Sequence, residues 1–252
     1  MKPHILEKIN TINREFYQNF ADSFAQTRKR IQPGVARILN RIPGHGNWLD
    51  IGCGNGSLAE EWMSQRHIGQ YHGVDFSSGL ISEAYARIAQ KEHPPGLQIG
   101  FSAVDLTDPE WPAILPLKTW DGLMMFAVLH HIAGQKQREQ LLRQLRGLVK
   151  VGSFVYLSVW QLRNSPRLIK RLQSWSVVGI DENELETGDV LMDWRAAAGA
   201  ASLAVGLRYV HLFTVEELRT LARDCGFNVV SAFSSDGHEK NLGLYQCWQA
   251  VN

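Results

Sequence analysis

The sequence is short of cysteine and of any charge excess, and both shortages limit what the protein can be. Its three cysteines, Cys53, Cys225 and Cys247, lie far apart and form no Cys-x-x-Cys pair. This argues against a disulfide framework and against a structural zinc site. The formal net charge is only +1, so the chain as a whole indicates neither an acidic nor a basic partner. We expect a protein of a reducing compartment and predict a cytoplasmic location.

The sequence also lacks a signal peptide, a membrane span and a metal-binding pattern. Residues 1–11 contain no continuous apolar stretch of the kind that a secretory signal needs. The most apolar segment, residues 196–207, includes two glycines and is shorter than the about 20 residues of a membrane-spanning helix. The nine histidines are scattered along the chain, and we predict no metal site and no membrane association.

Apolar residues at helical spacing characterise the first 40 residues. Ile5, Ile9, Ile12 and Phe16 follow one another at intervals of three and four residues, which predicts an amphipathic helix. We assign residues 1–40 to a helical cap over the ligand-binding edge of the domain that follows.

From Asn47 onward, short apolar runs alternate with amphipathic helices up to residue 160. This alternation predicts parallel strands that are joined by helical crossovers. The predicted strands are residues 48–51, 71–74, 97–104, 122–128 and 154–159.

A second block of regular structure begins at Thr214. This threonine, followed by Glu216 and Glu217, is typical of a helix N-cap with acidic residues in the first turn. Two strand-like runs, 227–233 and 244–250, follow, and the polar turn-rich stretch between them favours an antiparallel pair. We predict an α/β fold with a Rossmann-like, doubly wound, seven-stranded sheet, mostly parallel with an antiparallel C-terminal strand. Its core would be residues 41–160 and 214–252, with residues 161–213 as an insertion that forms a substrate lid or binds RNA.

A glycine-rich loop carries the strongest functional signal. The sequence Trp-Leu-Asp-Ile-Gly-Cys-Gly-Asn-Gly-Ser runs from residue 48 to residue 57. It places Gly52, Gly54 and Gly56 between a predicted strand and a predicted helix. Glycine lets the backbone turn sharply there and leaves room for a ligand to approach the main chain.

Acidic residues stand at the ends of the next two predicted strands. Asp75 follows the loop by just over twenty residues and is placed to accept hydrogen bonds from both hydroxyls of a ribose. Asp105 ends the third strand and can accept from an adenine amino group, with Leu106 packing on the ring. These positions predict a ligand that contains adenosine.

Two such ligands compete, NAD and S-adenosyl-L-methionine. The dinucleotide fingerprint Gly-x-Gly-x-x-Gly requires glycine at position 57, where this chain has Ser57. Asp50, Asp75 and Asp105 would repel a diphosphate, whereas they suit the sulfonium and ammonium groups of the methyl donor. We therefore predict S-adenosyl-L-methionine as the cofactor.

These motifs resemble those of a known family. Leu49-Asp-Ile-Gly-Cys-Gly-Asn-Gly56 resembles motif I of the class I S-adenosylmethionine-dependent methyltransferases, and Gly73-Val-Asp75 and Asp105-Leu106 resemble the motifs that follow it. The resemblance covers about residues 45–160 and 214–250, and it implies that Arg28 reaches the methionine carboxylate of the donor. The full set of expected cofactor contacts is Arg28, Asp50, Gly52, Gly54, Asp75, Phe76, Asp105, Leu106 and Ala127.

Shorter fragments are similar to one subfamily, the tRNA methyltransferases that esterify 5-carboxymethyluridine at the wobble position. The fragments are residues 24–28, 127–131, 158–161, 188–194 and 208–213. This resemblance implies tRNA as the methyl acceptor, a methyl ester as the product and a small activating protein as a partner.

The residues needed for catalysis depend on the acceptor. His130 and His131 follow the fourth predicted strand, at the carboxyl edge where open α/β sheets bind ligands. Either can serve as a general base for a hydroxyl acceptor, or be satisfied by the backbone. A carboxylate is already ionised at neutral pH and needs a cation rather than a base; Arg208 beside His211 suits that role. We predict His131, Arg208 and His211 as the catalytic residues.

Positive charge is concentrated in one segment. Between residues 135 and 180 one acid, Glu139, stands against nine basic residues, at positions 136, 138, 143, 146, 150, 163, 167, 170 and 171. This tract either follows a phosphate backbone, with Trp160 and Trp175 near to stack on bases, or is a solvated helix face. Two other functions stay open: a small-molecule O-methyltransferase with the insertion as an apolar lid, and a cofactor-binding scaffold without catalysis.

Overall fold

The computed structural model describes residues 1–26, 30–195 and 205–252. Two helices, α1 (Pro3–Gln26) and α2 (Pro33–Leu39), precede the first strand, in the segment predicted to be helical. α1 buries Ile5, Ile9 and Phe16, as their spacing predicts. Pro33 opens α2 because the first helical turn needs no backbone N–H from that residue.

The remaining elements follow in chain order. The strands of the described segments are β1 (His45–Ile51), β2 (Ile68–Asp75), β3 (Leu97–Ala103), β4 (Trp120–Phe126), β5 (Val149–Trp160), β6 (Leu172–Gln173), β7 (Asp189–Arg195), β8 (Val205–His211), β9 (Phe227–Ser235) and β10 (Gly243–Ala250). The further α-helices are α3 (Ser57–Ser64), α4 (Ser78–Ala89), α5 (Gln135–Gly147), α6 (Pro166–Ile169) and α7 (Val215–Asp224).

Seven strands form the main sheet, in the spatial order β3-β2-β1-β4-β5-β10-β9. β1 to β5 pair in parallel, and β10 is antiparallel to both of its neighbours. The predicted α/β fold with an antiparallel C-terminal strand is therefore confirmed. The strand order reverses between β1 and β4, and this switch point opens the crevice in which α/β sheets bind ligands.

Two strand boundaries differ from the prediction. β5 begins at Val149, five residues before the predicted start, and pairs with Trp120 across a bulge before the regular register resumes at Gly122. β4 ends at Phe126 rather than at residue 128, because Ala127 has a φ of +57° and turns the chain out of the sheet. That turn directs the following residues toward the crevice.

Helices cover both faces of the main sheet. On one face lie α5 and α7, and the core there includes Leu141, Leu145 and Leu218. On the other face lie α2, α3 and α4, and the core there includes Trp62 and Ile81. The predicted N-cap of α7 is present, since the Thr214 hydroxyl accepts a hydrogen bond from the Glu217 N–H at 3.0 Å. None of the helices in the described segments is long and apolar enough to cross a membrane.

The predicted insertion contains a second, antiparallel sheet, β6-β7-β8, which the sequence analysis did not predict. α1 packs on this sheet through Ile9, Leu191 and Tyr209. Asn13 of α1 accepts a hydrogen bond from the Tyr209 N–H at 2.8 Å and donates one to the His131 carbonyl at 2.9 Å. The cap and the insertion therefore form one layer over the carboxyl edge of the main sheet.

Candidate active site

One cavity of about 700 Å³ lies between the carboxyl edge of the main sheet and the layer formed by α1 and the small sheet. Gly54 and Asp75 line one end, and Trp160 and Arg208 line the other. Its volume is in the usual range for small-molecule and cofactor sites. A ligand at the glycine loop and a second one beside the insertion would therefore share one cavity.

The three loop glycines serve different purposes. All have positive φ: +73° at Gly52, +53° at Gly54 and +74° at Gly56, a conformation that side chains disfavour. A Cβ on Gly52 would lie 2.3 Å from Val128, and one on Gly56 would lie 2.8 Å from Ala84, so these two glycines allow close packing. A Cβ on Gly54 would meet nothing within 4 Å. Gly54 therefore leaves open space on the cavity side of the loop.

Asp75 is bound to the loop that it faces. Its Oδ2 accepts from the Gly54 N–H at 2.9 Å, and its Oδ1 accepts from the Ser77 N–H at 3.0 Å. Burial raises the pKa of Asp75, while these backbone hydrogen bonds oppose the rise. The Phe76 N–H is a third backbone donor to this carboxylate. Because the two oxygens together have four lone pairs, Asp75 can still accept a hydrogen bond from a ligand in the cavity.

Asp50 lies in the same cavity wall, near the end of β1. It is buried and accepts a hydrogen bond from the hydroxyl of Tyr71 on β2. Burial raises the pKa of Asp50 to about 7; the Tyr71 hydrogen bond lowers it and the nearby Asp75 charge raises it further. Asp50 is therefore a carboxylate whose charge is sensitive to its surroundings near neutral pH.

The Asp105 carboxylate already accepts three hydrogen bonds within the protein, which the sequence did not suggest. Its Oδ1 accepts from the Thr107 N–H at 2.9 Å and from the Thr107 hydroxyl at 2.6 Å, and its Oδ2 accepts from Arg14 at 3.0 Å. Burial alone would raise the pKa of Asp105, but the hydrogen bonds from Thr107 and Arg14 hold it below its usual value. Arg14 was missed by the sequence analysis, although its spacing from Asn10 and Tyr17 places all three on the cavity side of α1.

The other expected cofactor contacts divide into two groups. Phe76, Leu106 and Ala127 line the cavity beside the glycine loop, where the sequence analysis expected them. Arg28 lies outside the described residues.

The far end of the cavity holds Arg208 between aromatic rings. Its guanidinium carbon is 4.6 Å from the ring centroid of Trp160 and 5.1 Å from that of Phe16, which is cation–π geometry. Arg208 is buried but lines the cavity, so its charge faces the cavity rather than the outer surface of the protein. A positive charge held in this way suits an anionic acceptor.

His131 lines the same cavity, with its ring 5.4 Å from that of Trp160. Its Nδ1 lies 3.0 Å from the carbonyl oxygen of Tyr209. Because a carbonyl only accepts, Nδ1 carries the proton, and in the neutral ring Nε2 is then the acceptor nitrogen. Its neighbour His130 is fully buried, with its ring 4.8 Å from that of Trp160, and does not line the cavity.

The structure separates His211 from Arg208. Both nitrogens of His211 meet carboxylates, Nδ1 at 2.7 Å from Asp189 and Nε2 at 2.7 Å from Glu217. Burial lowers the pKa of His211, but these two hydrogen bonds outweigh it and the net shift is upward. The expectation that Arg208 and His211 act together does not fit the strand geometry, because residues three apart on β8 point to opposite faces.

A buried network surrounds His211. One ligand atom each from Glu186, Asp189 and His211 lies within 4.8 Å of the others, a grouping that the scattered histidines of the sequence did not suggest. Glu186 binds the Arg138 guanidinium at 2.7 Å, and Asp189 accepts from the Tyr209 hydroxyl at 2.7 Å. These internal partners satisfy the charges, so the network stabilises the junction between α5 and the small sheet.

The predicted basic tract is not one surface. Arg138 is buried against Glu186, Arg143 pairs with Glu139, and Arg146 donates to the carbonyl of Val251. Arg138 and Arg146 therefore bind groups of the fold, whereas Arg143 is exposed on α5 beside Glu139, so the tract does not form a continuous phosphate-binding surface. The remaining bases of the insertion are Arg163, Arg167, Lys170 and Arg171, of which Arg167 and Arg171 line the cavity and Arg163 and Lys170 are exposed.

Comparison with known proteins agrees with this geometry. Residues 23–232 match a family model described as a methyltransferase domain. A protein of Encephalitozoon cuniculi, named as a methyltransferase, is 29% identical over 219 residues, which are 85% of this chain and 86% of that protein. A tRNA (carboxymethyluridine(34)-5-O)-methyltransferase of Schizosaccharomyces pombe is 26% identical over 230 residues, which are 89% of this chain and 92% of that protein.

A solved structure is also similar. The crystal structure of a SAM-dependent methyltransferase from Methanosarcina mazei matches with a TM-score of 0.64 and 21% identity, over 88% of this chain and 98% of that one. At this identity the likeness shows the fold, which is the seven-stranded sheet described above.

Proposed function

Because this chain belongs to the family of methyltransferase domains, we propose that it methylates the carboxymethyl group of a wobble uridine in tRNA, with S-adenosyl-L-methionine as donor. The observation that carries the proposal is the single cavity, which joins the glycine loop and Asp75 to a buried arginine in an aromatic setting. The choice of a wobble uridine as the acceptor is based on the relatives, since the name of the Schizosaccharomyces pombe protein states that activity.

The residues at the glycine loop fit the proposed donor. The open space at Gly54 admits a ligand against the main chain, and Asp75 offers a carboxylate for the ribose hydroxyls. Asp50 offers a second negative charge in the same wall, which suits the cationic groups of the donor. When bound, the donor supplies a methyl group that its sulfonium already activates.

The residues at the far end fit a carboxylate acceptor. A carboxylate with a pKa near 4 is ionised at neutral pH, so the protein needs to hold it in line and does not need to remove a proton. Arg208 supplies a fixed positive charge for this purpose, and Trp160 supplies a flat ring beside it. Correct alignment of two reactants can contribute about 7–11 kcal/mol to catalysis.

His131 has a supporting place in this arrangement. Its Nε2 is an acceptor nitrogen and can receive a hydrogen bond from an N–H of a base. If the acceptor were a hydroxyl, the same atom would serve as the general base. The structure therefore lets one experiment distinguish the two acceptor types by the relative cost of losing Arg208 or His131.

Two basic residues of the cavity lining and two exposed ones near them in sequence offer positive charge for the phosphates of a nucleic acid. Arg167 and Arg171 line the cavity, and Arg163 and Lys170 are exposed on the first segment of the insertion. Arg171 is 3.6 Å from the buried Asp193, so part of its charge is balanced inside the protein. Contacts between phosphates and these residues would make binding fall as salt rises.

The proposal is tested by nucleoside analysis of tRNA that carries 5-carboxymethyluridine. Incubation with the protein and donor should increase the mass of that nucleoside by one methyl group and leave the other nucleosides unchanged. The Asp75→Asn variant is the control for donor-dependent turnover. Methylation of small carboxylic acids or phenols with tRNA left unmodified would favour a small-molecule O-methyltransferase instead, and donor binding without any transfer would favour a scaffold.

A further inference from the structure

Behind Asp50, on the side away from the cavity, lies a tyrosine that no motif of the sequence singled out. We propose that Tyr71 is a positioning residue for the methyl donor, because its hydroxyl holds the Asp50 carboxylate in place to bind the donor's α-ammonium group. This inference rests on the donor assigned under the proposed function. It adds a residue that touches Asp50 and does not line the cavity.

The geometry gives Tyr71 one role toward Asp50. The two residues lie on the neighbouring strands β2 and β1, and the Tyr71 hydroxyl donates to Asp50 Oδ2. Tyr71 is fully buried, with its ring 5.8 Å from that of Trp62 and 6.3 Å from that of Phe101. Burial also raises the pKa of Tyr71 well above its usual value. The hydroxyl therefore keeps its proton and has a fixed direction.

The groups around Asp50 determine how much its ionisation depends on the Tyr71 hydrogen bond. The titratable groups that act on Asp50 in the described residues are Tyr71, Asp75 and Cys53. Asp75 repels the ionised form of Asp50, and burial raises the pKa of the Cys53 thiol well above its usual value, so that the thiol stays neutral. Tyr71 is then the group in this set that favours the ionised carboxylate.

Loss of the Tyr71 hydroxyl should raise the pH below which the donor site loses affinity. With a pKa of about 7, Asp50 is about half ionised near neutral pH. A hydrogen bond to a charged group shifts the pKa of that group by about one to two units. Without the Tyr71 hydroxyl, the ionisation of Asp50 should therefore move upward by about one pH unit or more.

The experiment measures the dissociation constant of S-adenosylhomocysteine between pH 5.5 and 8.5 by calorimetry. This probe carries the α-ammonium group but no sulfonium, so its affinity reports on the ammonium site. For the parent protein, affinity should fall as pH drops through about 7, because protonated Asp50 no longer attracts the ammonium group. For Tyr71→Phe, the midpoint of that fall should lie about one unit higher. The matched control is Tyr85→Phe, which loses a hydroxyl that bonds the Phe101 backbone and should keep the parent midpoint.

Asp50→Asn completes the design, since Asp75 also has a raised pKa and can contribute to the profile. This variant should bind more weakly and lose the fall near pH 7. The inference is overturned if Tyr71→Phe weakens binding by one factor at every pH, which is the result of a packing defect. It is equally overturned if Asp50→Asn keeps the parent midpoint. Failure of the parent to bind the probe at any pH would overturn the proposed function itself, and this inference with it.

Discussion

Replacement of Asp75 should separate its two functions, holding the glycine loop and binding the ribose. In Asp75→Asn the side chain keeps its shape, but its amide nitrogen must face either the Gly54 N–H or the Ser77 N–H, which are both donors. The charge that would accept from two ribose hydroxyls is also lost. Hydrogen bonds to charged groups contribute about 1.5–3 kcal/mol each, so we expect a loss of about 2 kcal/mol or more, which is about 30-fold in the dissociation constant.

Calorimetry with S-adenosylhomocysteine measures this loss directly. The matched control is Asp108→Asn, since Asp108 also accepts from a backbone N–H two residues on, at 2.9 Å, but lies in an exposed loop that does not line the cavity. The control should bind the ligand as the parent does. An Asp75→Asn variant that is folded and binds within twofold of the parent would refute the placement of the ribose at Asp75.

Three other results are expected. With the donor saturating, so that the ionisation of Asp50 does not limit donor binding, kcat/KM for tRNA should be nearly flat above pH 6 for a carboxylate acceptor. Arg208→Ala should then lower it more than His131→Ala does. A rate that rises through a histidine-like pKa, with the reverse order of the two variants, indicates a hydroxyl. Because folding raises the pKa of Asp50 from 3.8 to about 7, its ionisation destabilises the cofactor-free protein as pH rises from about 4 to 7. Asp50→Asn should therefore raise the free energy of unfolding at pH 8 by at most about 4 kcal/mol, and chemical denaturation that shows no gain would contradict this. The double change Arg163→Glu and Lys170→Glu should weaken tRNA binding and its salt dependence without altering cofactor affinity, whereas unchanged tRNA binding in a filter assay would place the RNA elsewhere.

The sheet could be predicted because its signals are local. β1 and β2 are short apolar runs that are followed at once by Gly52 and end at Asp75, respectively, and the amphipathic helices α3 and α4 come after them. The small sheet of the insertion could not be predicted in the same way. β6 has only two residues. β7 and β8 are stabilised by contacts with α1, which lies almost 200 residues earlier in the sequence; the hydrogen bond between Asn13 and Tyr209 is one of these contacts.

The same distinction applies to the candidate site. Gly54, Asp50 and Asp75 stand next to strand ends, so their place in the cavity followed from the motif. Arg14 reaches Asp105 from α1 across 91 residues, and no short-range pattern indicates that contact. His211 was grouped with Arg208 because they are close in sequence, although alternation along β8 sends them to opposite faces.

The basic tract shows why composition is a weak guide to a binding surface. Arg138, Arg143 and Arg146 contribute to the same count as Lys170, yet they bind Glu186, Glu139 and the Val251 carbonyl. A count of charges does not show which of them face solvent.

The most direct test of the account is the chemical nature of the transferred methyl group. tRNA that contains 5-carboxymethyluridine is incubated with the protein and with donor labelled in its methyl group, then repurified and treated with mild alkali. A methyl ester is saponified under these conditions, so the account predicts that the label enters tRNA and is then released as methanol. Label that enters tRNA but resists alkali would show transfer to a nitrogen, carbon or hydroxyl and would contradict the assignment of a carboxylate acceptor beside Arg208.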